Sequence, residues 1–173
     1  YVRMKKFSKI FENVEGEDKD ESIVFTDVVS SSKLWSDDPV KMDTQLSKHF
    51  DLVDGLAKKY NGFVVKTIGD AFMVHFDTDE SLLNAIKFSV DVINEESLTL
   101  RIGISNGHMS EKTYKIQNSD LRDFFGNTVN SASRLESKVS KEGGFAFAYE
   151  SLSDSQSTKV KDLIDKFKYE KIE

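Results

Sequence analysis

Apolar residues recur at Leu46, Phe50, Val53, Ala57 and Tyr60, in alternating steps of four and three that line one face of a long helix. Asn61-Gly62 follows at once and predicts its end, because both residues accept the left-handed conformation in which helices stop. The pattern then changes period. Residues 63–68 and 71–76 are two runs rich in β-branched and aromatic side chains, separated only by Gly69-Asp70, a two-residue connection that suits a tight hairpin. Upstream, residues 22–26 form a short apolar, β-prone run that delivers Asp27 to its end, followed by a polar loop through Ser30, Ser31 and Ser32. Downstream, Leu83, Ile86, Val90 and Ile93 mark a second helix and residues 99–104 a further strand. A loop-like region containing Gly107 comes next. Residues 126–137 read as a helix with Val129, Ala132 and Leu135 inward, 145–148 as a strand, and 160–167 as a helix running into a final strand.

Strand, helix, hairpin, helix, strand, helix, strand predicts an α+β fold, a ferredoxin-like mixed or antiparallel sheet covered by helices. Residues 1–21 read as an N-terminal connector, in which Phe7, Ile10 and Phe11 have the spacing of a helical turn or two. The folded domain is then 22–173.

Composition narrows the function classes. With 38% hydrophobic residues, 13 Phe and a single Pro, the chain can build a sizeable core, which excludes a disordered protein. A net charge of −6, from 30 acidic against 24 basic residues, argues against binding nucleic acid or an anionic membrane surface. Zero cysteines exclude disulfides and thiolate metal sites and fit a reducing, cytoplasmic setting. No apolar run reaches the ~18 residues that a membrane span requires. The chain begins on Tyr1 and is read as a piece of a longer protein, whose remainder can carry a regulatory or membrane domain.

Candidate chemistry sits at the ends of the elements. Asp27 leaves the first strand and Asp70 occupies the hairpin tip, so the two carboxylates meet if their strands are neighbours. Oxygen ligands of this kind suit magnesium or manganese, which keep substrate phosphates in the rest of their shell. Two such ions roughly 3.5–4 Å apart can stabilise both the attacking and the leaving oxygen of an in-line displacement at phosphorus. Asn130 and Arg134, at i and i+4, share the helix face opposite Val129, Ala132 and Leu135. The histidines His49, His75 and His108 show no metal-ligand spacing; the first two read as helix-surface and strand residues.

Four segments, in order and at matching spacing, carry a resemblance. They are Val24-Phe25-Thr26-Asp27-Val28, Val65-Lys66-Thr67-Ile68-Gly69-Asp70-Ala71-Phe72-Met73, Leu100-Arg101-Ile102-Gly103-Ile104, and the run from Phe125-Gly126-Asn127 to Arg134-Leu135-Glu136. Together they resemble the signature blocks of class III nucleotidyl cyclase catalytic domains, the adenylate and guanylate cyclases, from residue 22 to the C-terminus. The resemblance implies a head-to-tail homodimer with composite active sites, working on ATP with two Mg2+ or Mn2+ ions per site. One subunit then supplies Asp27, Asp70 and the Val28 carbonyl as metal ligands, with the turn through Ser30, Ser31 and Ser32 cradling phosphate. The other supplies Lys66 and Asp123 to the base, and Asn130 and Arg134 to the ribose and the reacting phosphate. Lys66 can only donate hydrogen bonds and an ionised Asp123 can only accept. That pair complements adenine and mismatches guanine, so the expected product is cyclic AMP. A guanylate cyclase and a catalytically weak, nucleotide-binding regulatory module are the alternatives. Two features depart from the family pattern. His108 stands where some members have a phosphate-contacting arginine, and the chain ends short of the hairpin that carries a triphosphate-binding lysine, leaving Lys168 or Lys171 as the nearest candidates.

Overall fold

In a computed structural model of the chain, which describes residues 2–4, 21–149, 153–165 and 169–171, nine strands and five helices follow one another. β1 (Val2–Met4) and β2 (Ser22–Val28) precede α1 (Ser31–Asp37) and α2 (Pro39–Lys59). The hairpin β3 (Gly62–Ile68) and β4 (Ala71–Phe76) leads into α3 (Ser81–Glu95) and β5 (Leu100–Asn106). A second hairpin, β6 (Ser110–Ile116) and β7 (Ser119–Phe125), precedes α4 (Asn127–Lys138), β8 (Gly144–Tyr149), α5 (Asp154–Ile164) and β9 (Tyr169–Lys171). Seven strands form one mixed sheet in the order β3-β4-β2-β5-β8-β1-β9, and β6 and β7 pair separately. β2 runs antiparallel to both β4 and β5, whereas β5 and β8 are parallel. The fold is the expected α+β class.

Alternation along the strands sorts side chains between two layers. Val24, Val28, Phe72, Val74, Phe76, Ile102, Ile104, Phe145 and Phe147 face α2, α3 and α5 and make the main core with Val53, Leu82, Ile86, Phe88 and Val160. The intervening residues face the other way. Ile23 and Met73 there pack with Met109, Phe124 and Ala132, while Ala146 and Ala148 meet Leu135 and Val139 of α4. Gly103 brings α4 down onto this face: a Cβ at that position would stand 2.1 Å from the Ala132 carbonyl oxygen and 2.3 Å from the Glu136 nitrogen.

Several elements differ from their sequence pattern. Residues 110–125, expected as loop, form the β6–β7 hairpin because backbone pairing, from Ser110↔Phe125 to Ile116↔Ser119, holds it while most of its side chains are exposed. A strand exposed on both faces leaves no alternating signal. Ser31 and Ser32, expected in a loop, lie in the first turn of α1, entered through Ser30 in the left-handed conformation at φ 59°. α5 starts at Asp154, well before residue 160, under a capping box in which Ser153 accepts from the Gln156 amide and the Gln156 side chain returns to Ser153. His49 is buried rather than on the helix surface, at 0% exposure, with Nδ1 2.6 Å from the Glu96 carboxylate. Val2–Met4, within the expected connector, lies as a strand between β8 and β9. The expected Phe7, Ile10 and Phe11 face and Lys168 fall outside the described residues.

Candidate active site

The register Thr26↔Phe72 between β2 and β4 brings Asp27 and Asp70 to the same end of the sheet. Gly69, at φ 63°, takes the first place of the two-residue turn, where a glycine adopts positive φ without steric cost. Asp70 follows it. Its Oδ2 is buried and has no hydrogen-bond partner among the described residues. Leaving a carboxylate oxygen desolvated and unpaired is unfavourable, so this atom is suited to a cation ligand. The Mg2+ or Mn2+ that the blocks imply therefore fits the residues present, with Asp27, Asp70 and the Val28 carbonyl as the oxygen donors that would hold it.

Asp27 is engaged differently. Arg101 stands directly opposite on β5 and donates from its guanidinium to Asp27 Oδ2. The same guanidinium approaches α4, with Nε 3.0 Å from Glu136 Oε1, although neither of these two atoms completes a hydrogen bond. The hydrogen bond to Asp27 raises the Arg101 pKa. Burial pushes the Glu136 carboxyl up, opposed by the Arg101 charge and reinforced by that of Asp27. Arg101 and Glu136 were not singled out from the sequence. The available signal was an arginine amid the apolar alternation of Leu100, Ile102 and Ile104.

Lys66 reaches its position through a β-bulge. The register passes from Val64↔Val74 to Lys66↔Met73, so two residues of β3 oppose one of β4. Strict alternation would have turned Lys66 to the α2/α3 side, where Val64 packs. The bulge instead puts it level with Met73 on the α4 side, an instance of a bulge re-aiming a side chain. There Lys66 Nζ lies 2.5 Å from Asp123 Oδ2. Asp123 Oδ1 accepts from the Phe124 amide at 2.8 Å, and the Tyr114 hydroxyl lies 3.3 Å from Oδ2. Burial alone would raise the Asp123 pKa, but the bonds from Lys66 and the Phe124 amide outweigh it and hold the carboxyl below the usual range.

Asn130 and Arg134 are both exposed on α4, opposite the buried Ala132 and Leu135. Among the described residues neither side chain has an ion-pair or hydrogen-bond partner, and no contact joins them to Asp27 or Asp70. The start of α4 is anchored by Thr128, whose hydroxyl donates to the His108 carbonyl at 2.6 Å; the His108 side chain is exposed. Among the described residues the chain thus carries Asp27 and Asp70 at one end of the sheet, the pair Lys66 and Asp123, and an Asn/Arg pair on α4 without partners.

The model of the "Adenylate and Guanylate cyclase catalytic domain" family matches residues 14–143, and the chain belongs to that family. Among curated relatives, an adenylate cyclase of Schizosaccharomyces pombe is 29% identical over 157 residues, covering 76% of this chain and 9% of the relative. Atrial natriuretic peptide receptor 2 of Anguilla japonica is 28% identical over 165 residues, 86% of this chain and 15% of the relative. An adenylate cyclase of Podospora anserina is 45% identical over 62 residues, 36% of this chain and 3% of the relative. The chain therefore spans a small part of these relatives' length. Of solved structures, the adenylyl cyclase CyaB of P. aeruginosa superposes with a TM-score of 0.70 at 20% identity, covering 85% of this chain and 83% of that one, a likeness of fold. The catalytic core of a rhodopsin-guanylyl cyclase with converted specificity, in complex with ATPalphaS, gives 0.69 at 27% identity, covering 86% and 85%. A non-canonical dimeric guanylyl cyclase domain of the RhoGC fusion protein from Blastocladiella emersonii gives 0.69 at 25%, covering 85% and 86%. No helix of the described residues is long and apolar enough to cross a membrane.

Proposed function

We propose that this domain converts ATP to 3′,5′-cyclic AMP and pyrophosphate as a head-to-tail homodimer with composite sites, on the cytoplasmic side of whatever longer protein carries it. The observation that carries the choice of ATP is the juxtaposition of Lys66 and Asp123. An ammonium and an ionised carboxylate side by side offer one donor and one acceptor, which match adenine N1 and its exocyclic amine. Guanine presents the opposite pair, and a site built for one set leaves the other unpaired. To read a base, Lys66 and Asp123 exchange their mutual hydrogen bond for bonds to the ligand.

Within a composite site, Asp27, Asp70 and the Val28 carbonyl of one subunit bind the cations, while backbone N–H groups of the turn at Ser30, Ser31 and Ser32 hold phosphate. When bound, two Mg2+ or Mn2+ ions supply charge neutralisation and acidify the attacking hydroxyl. Asn130 from the partner orients the ribose so that its 3′-hydroxyl faces the α-phosphate. Arg134 offsets negative charge developing there as pyrophosphate leaves. Their exposure on α4, without a described partner, supports a role toward another chain. So do the exposed apolar residues Phe63 and Ile68 on β3 and Tyr114, Ile116, Leu121 and Phe125 on the β6–β7 hairpin, apolar surface suited to burial between subunits.

The purified protein, assayed with manganese against ATP and GTP, is expected to favour ATP by at least about 100-fold in kcat/KM. Asp70→Ala lowers turnover by roughly 10²–10³-fold, the scale of losing one transition-state charge contact. Mixing inactive Asp27→Ala and Arg134→Ala chains restores part of the activity through one intact site. Undiminished activity in Asp70→Ala protein would rule out the metal role, and preference for GTP would reverse the substrate assignment.

A further inference from the structure

Asp27 and Asp70 share one end of the sheet but stand in opposite states: Asp70 Oδ2 is buried and unpartnered, while Asp27 Oδ2 is capped by Arg101. A cation approaching the pair meets an open oxygen of Asp70 and, on Asp27, one oxygen already occupied by a guanidinium, itself positively charged. For Asp27 to ligate through Oδ2, Arg101 has to leave that oxygen, and an arginine side chain only 27% exposed is best received by another anion. Glu136 is that anion. Its side chain is 13% exposed and Oε1 lies 3.0 Å from Arg101 Nε, yet neither atom makes a hydrogen bond, while Oε2 is only 3.4 Å from the neighbouring Ser137 hydroxyl. Arg101 and Glu136 are thus already an ion pair, lacking only a hydrogen bond between these two atoms. Gly103 holds α4 close enough for it.

We propose that Arg101 and Glu136 are positioning residues for the cation site: Glu136 draws the Arg101 guanidinium off Asp27 and frees Oδ2, so that both oxygens of that carboxylate are available to the cation. A small turn of the planar guanidinium converts the contact at Nε into a hydrogen bond and satisfies both orphaned atoms, while the bond to Asp27 breaks. No proton changes place. This inference rests on the reading of Asp27 and Asp70 as cation ligands.

The test is Mn2+ binding to the whole chain without nucleotide, followed by loss of the free-ion electron paramagnetic resonance signal, with thermal melting to confirm folding. Glu136→Gln is expected to weaken binding by about 10- to 100-fold, the usual effect of removing an outer partner of a metal ligand, because Arg101 then stays on Asp27. Arg101→Gln is expected to bind at least as tightly as the parent chain, and Glu136→Gln is expected to have no further effect in the Arg101→Gln background. Should Glu136→Gln not fold, Glu136→Asp, which keeps the charge but withdraws the oxygens, is expected to weaken binding in the same direction. Unchanged affinity in a folded Glu136 variant overturns the proposal, as does equal weakening with and without Arg101. If Asp70→Ala binds Mn2+ like the parent, the cation site itself is refuted and this inference with it. If Asp70→Ala loses Mn2+ but Glu136→Gln does not, only the exchange is refuted.

Discussion

The two faces of the central sheet are made from alternate residues of the same strands, yet they bury different things. Beneath α2, α3 and α5 lies a broad apolar layer that includes Val24, Phe72, Val74, Ile86, Phe88, Ile102 and Phe147. Beneath α4 and beside the β6–β7 hairpin the apolar clusters are smaller, Ile23, Met73, Met109, Phe124 and Ala132 in one and Leu135, Val139, Ala146 and Ala148 in the other. On that side the strands also present Asp27, Lys66, His75 and Arg101. Even the buried histidine on the apolar side, His49, is matched by Glu96. Period-two alternation lets one strand serve both purposes: β2 buries Val24 and Val28 on one side and shows Asp27 on the other, so ionic groups need not interrupt the main core. Stability and the candidate chemistry are thus divided between faces.

The strongest way to break this division is to cut into the apolar side. Phe88 is fully buried there, and Phe88→Ala is expected to lower unfolding free energy by about 3–5 kcal/mol. Chemical denaturation measures that loss, and turnover per folded molecule at low temperature should stay near the parent value. A large drop in that turnover would show that the faces are not separable.

His75 sharpens the comparison from the other side. It is 2% exposed and its ring stacks on Phe124 with centroids 4.0 Å apart. Burial pushes its pKa down to about 4, with Asp77 and Glu111 raising it and Arg122 lowering it. The folded pKa lies below the ordinary value of 6.5, so the unfolded chain takes up the proton first. Stability contributed by the neutral ring is intact above about pH 6.5 and is lost as the pH falls toward about 4, by up to about 3 kcal/mol at ~1.4 kcal/mol per unit. Denaturation midpoints measured between those limits should fall steeply for the parent chain. The fall should be shallower for His75→Phe, and an equal slope in both would remove His75 as the cause.

Gly103→Ala is the finest probe, because it acts on the distance between α4 and the sheet. The added methyl meets backbone atoms of α4, and overpacking of this kind costs about 1–3 kcal/mol. Since α4 carries Asn130, Arg134 and Glu136, turnover at saturating ATP is expected to fall further than the fraction unfolded explains. Loss of stability with unchanged turnover would mean that the sheet-to-helix spacing does not set the site.

How much of this was legible beforehand depends on whether an element shows a face to a core. α2 and α3 do, and their apolar steps announced them. The turn Gly69-Asp70 was equally plain, because its chemistry is local. The β6–β7 hairpin was not, since Tyr114, Ile116, Leu121 and Phe125 are exposed and no buried stripe marks either strand. Asp27, Asp70, Lys66, Asn130 and Arg134 stood out through the blocks that contain them, and Asp123 through the resemblance those blocks carry, rather than through periodicity. The face on which Lys66 stands depended on a bulge with no mark of its own, and the partnership of Arg101 with both Asp27 and Glu136 on elements distant in sequence.

By itself, then, the sequence determined the order of the strands and helices that pack on the main core, the α+β class and the residue types proposed for phosphate, base and cation, because these follow from local periodicity, turn residues and short ordered blocks. Only the tertiary structure decided which of those residues meet. Pairing register brought Asp27 level with Arg101 and to the same end of the sheet as Asp70, one extra residue in β3 turned Lys66 toward Asp123, and the missing side chain at Gly103 let Glu136 come within reach of Arg101. Each outcome depends on contacts between segments far apart in the chain, which no local pattern encodes.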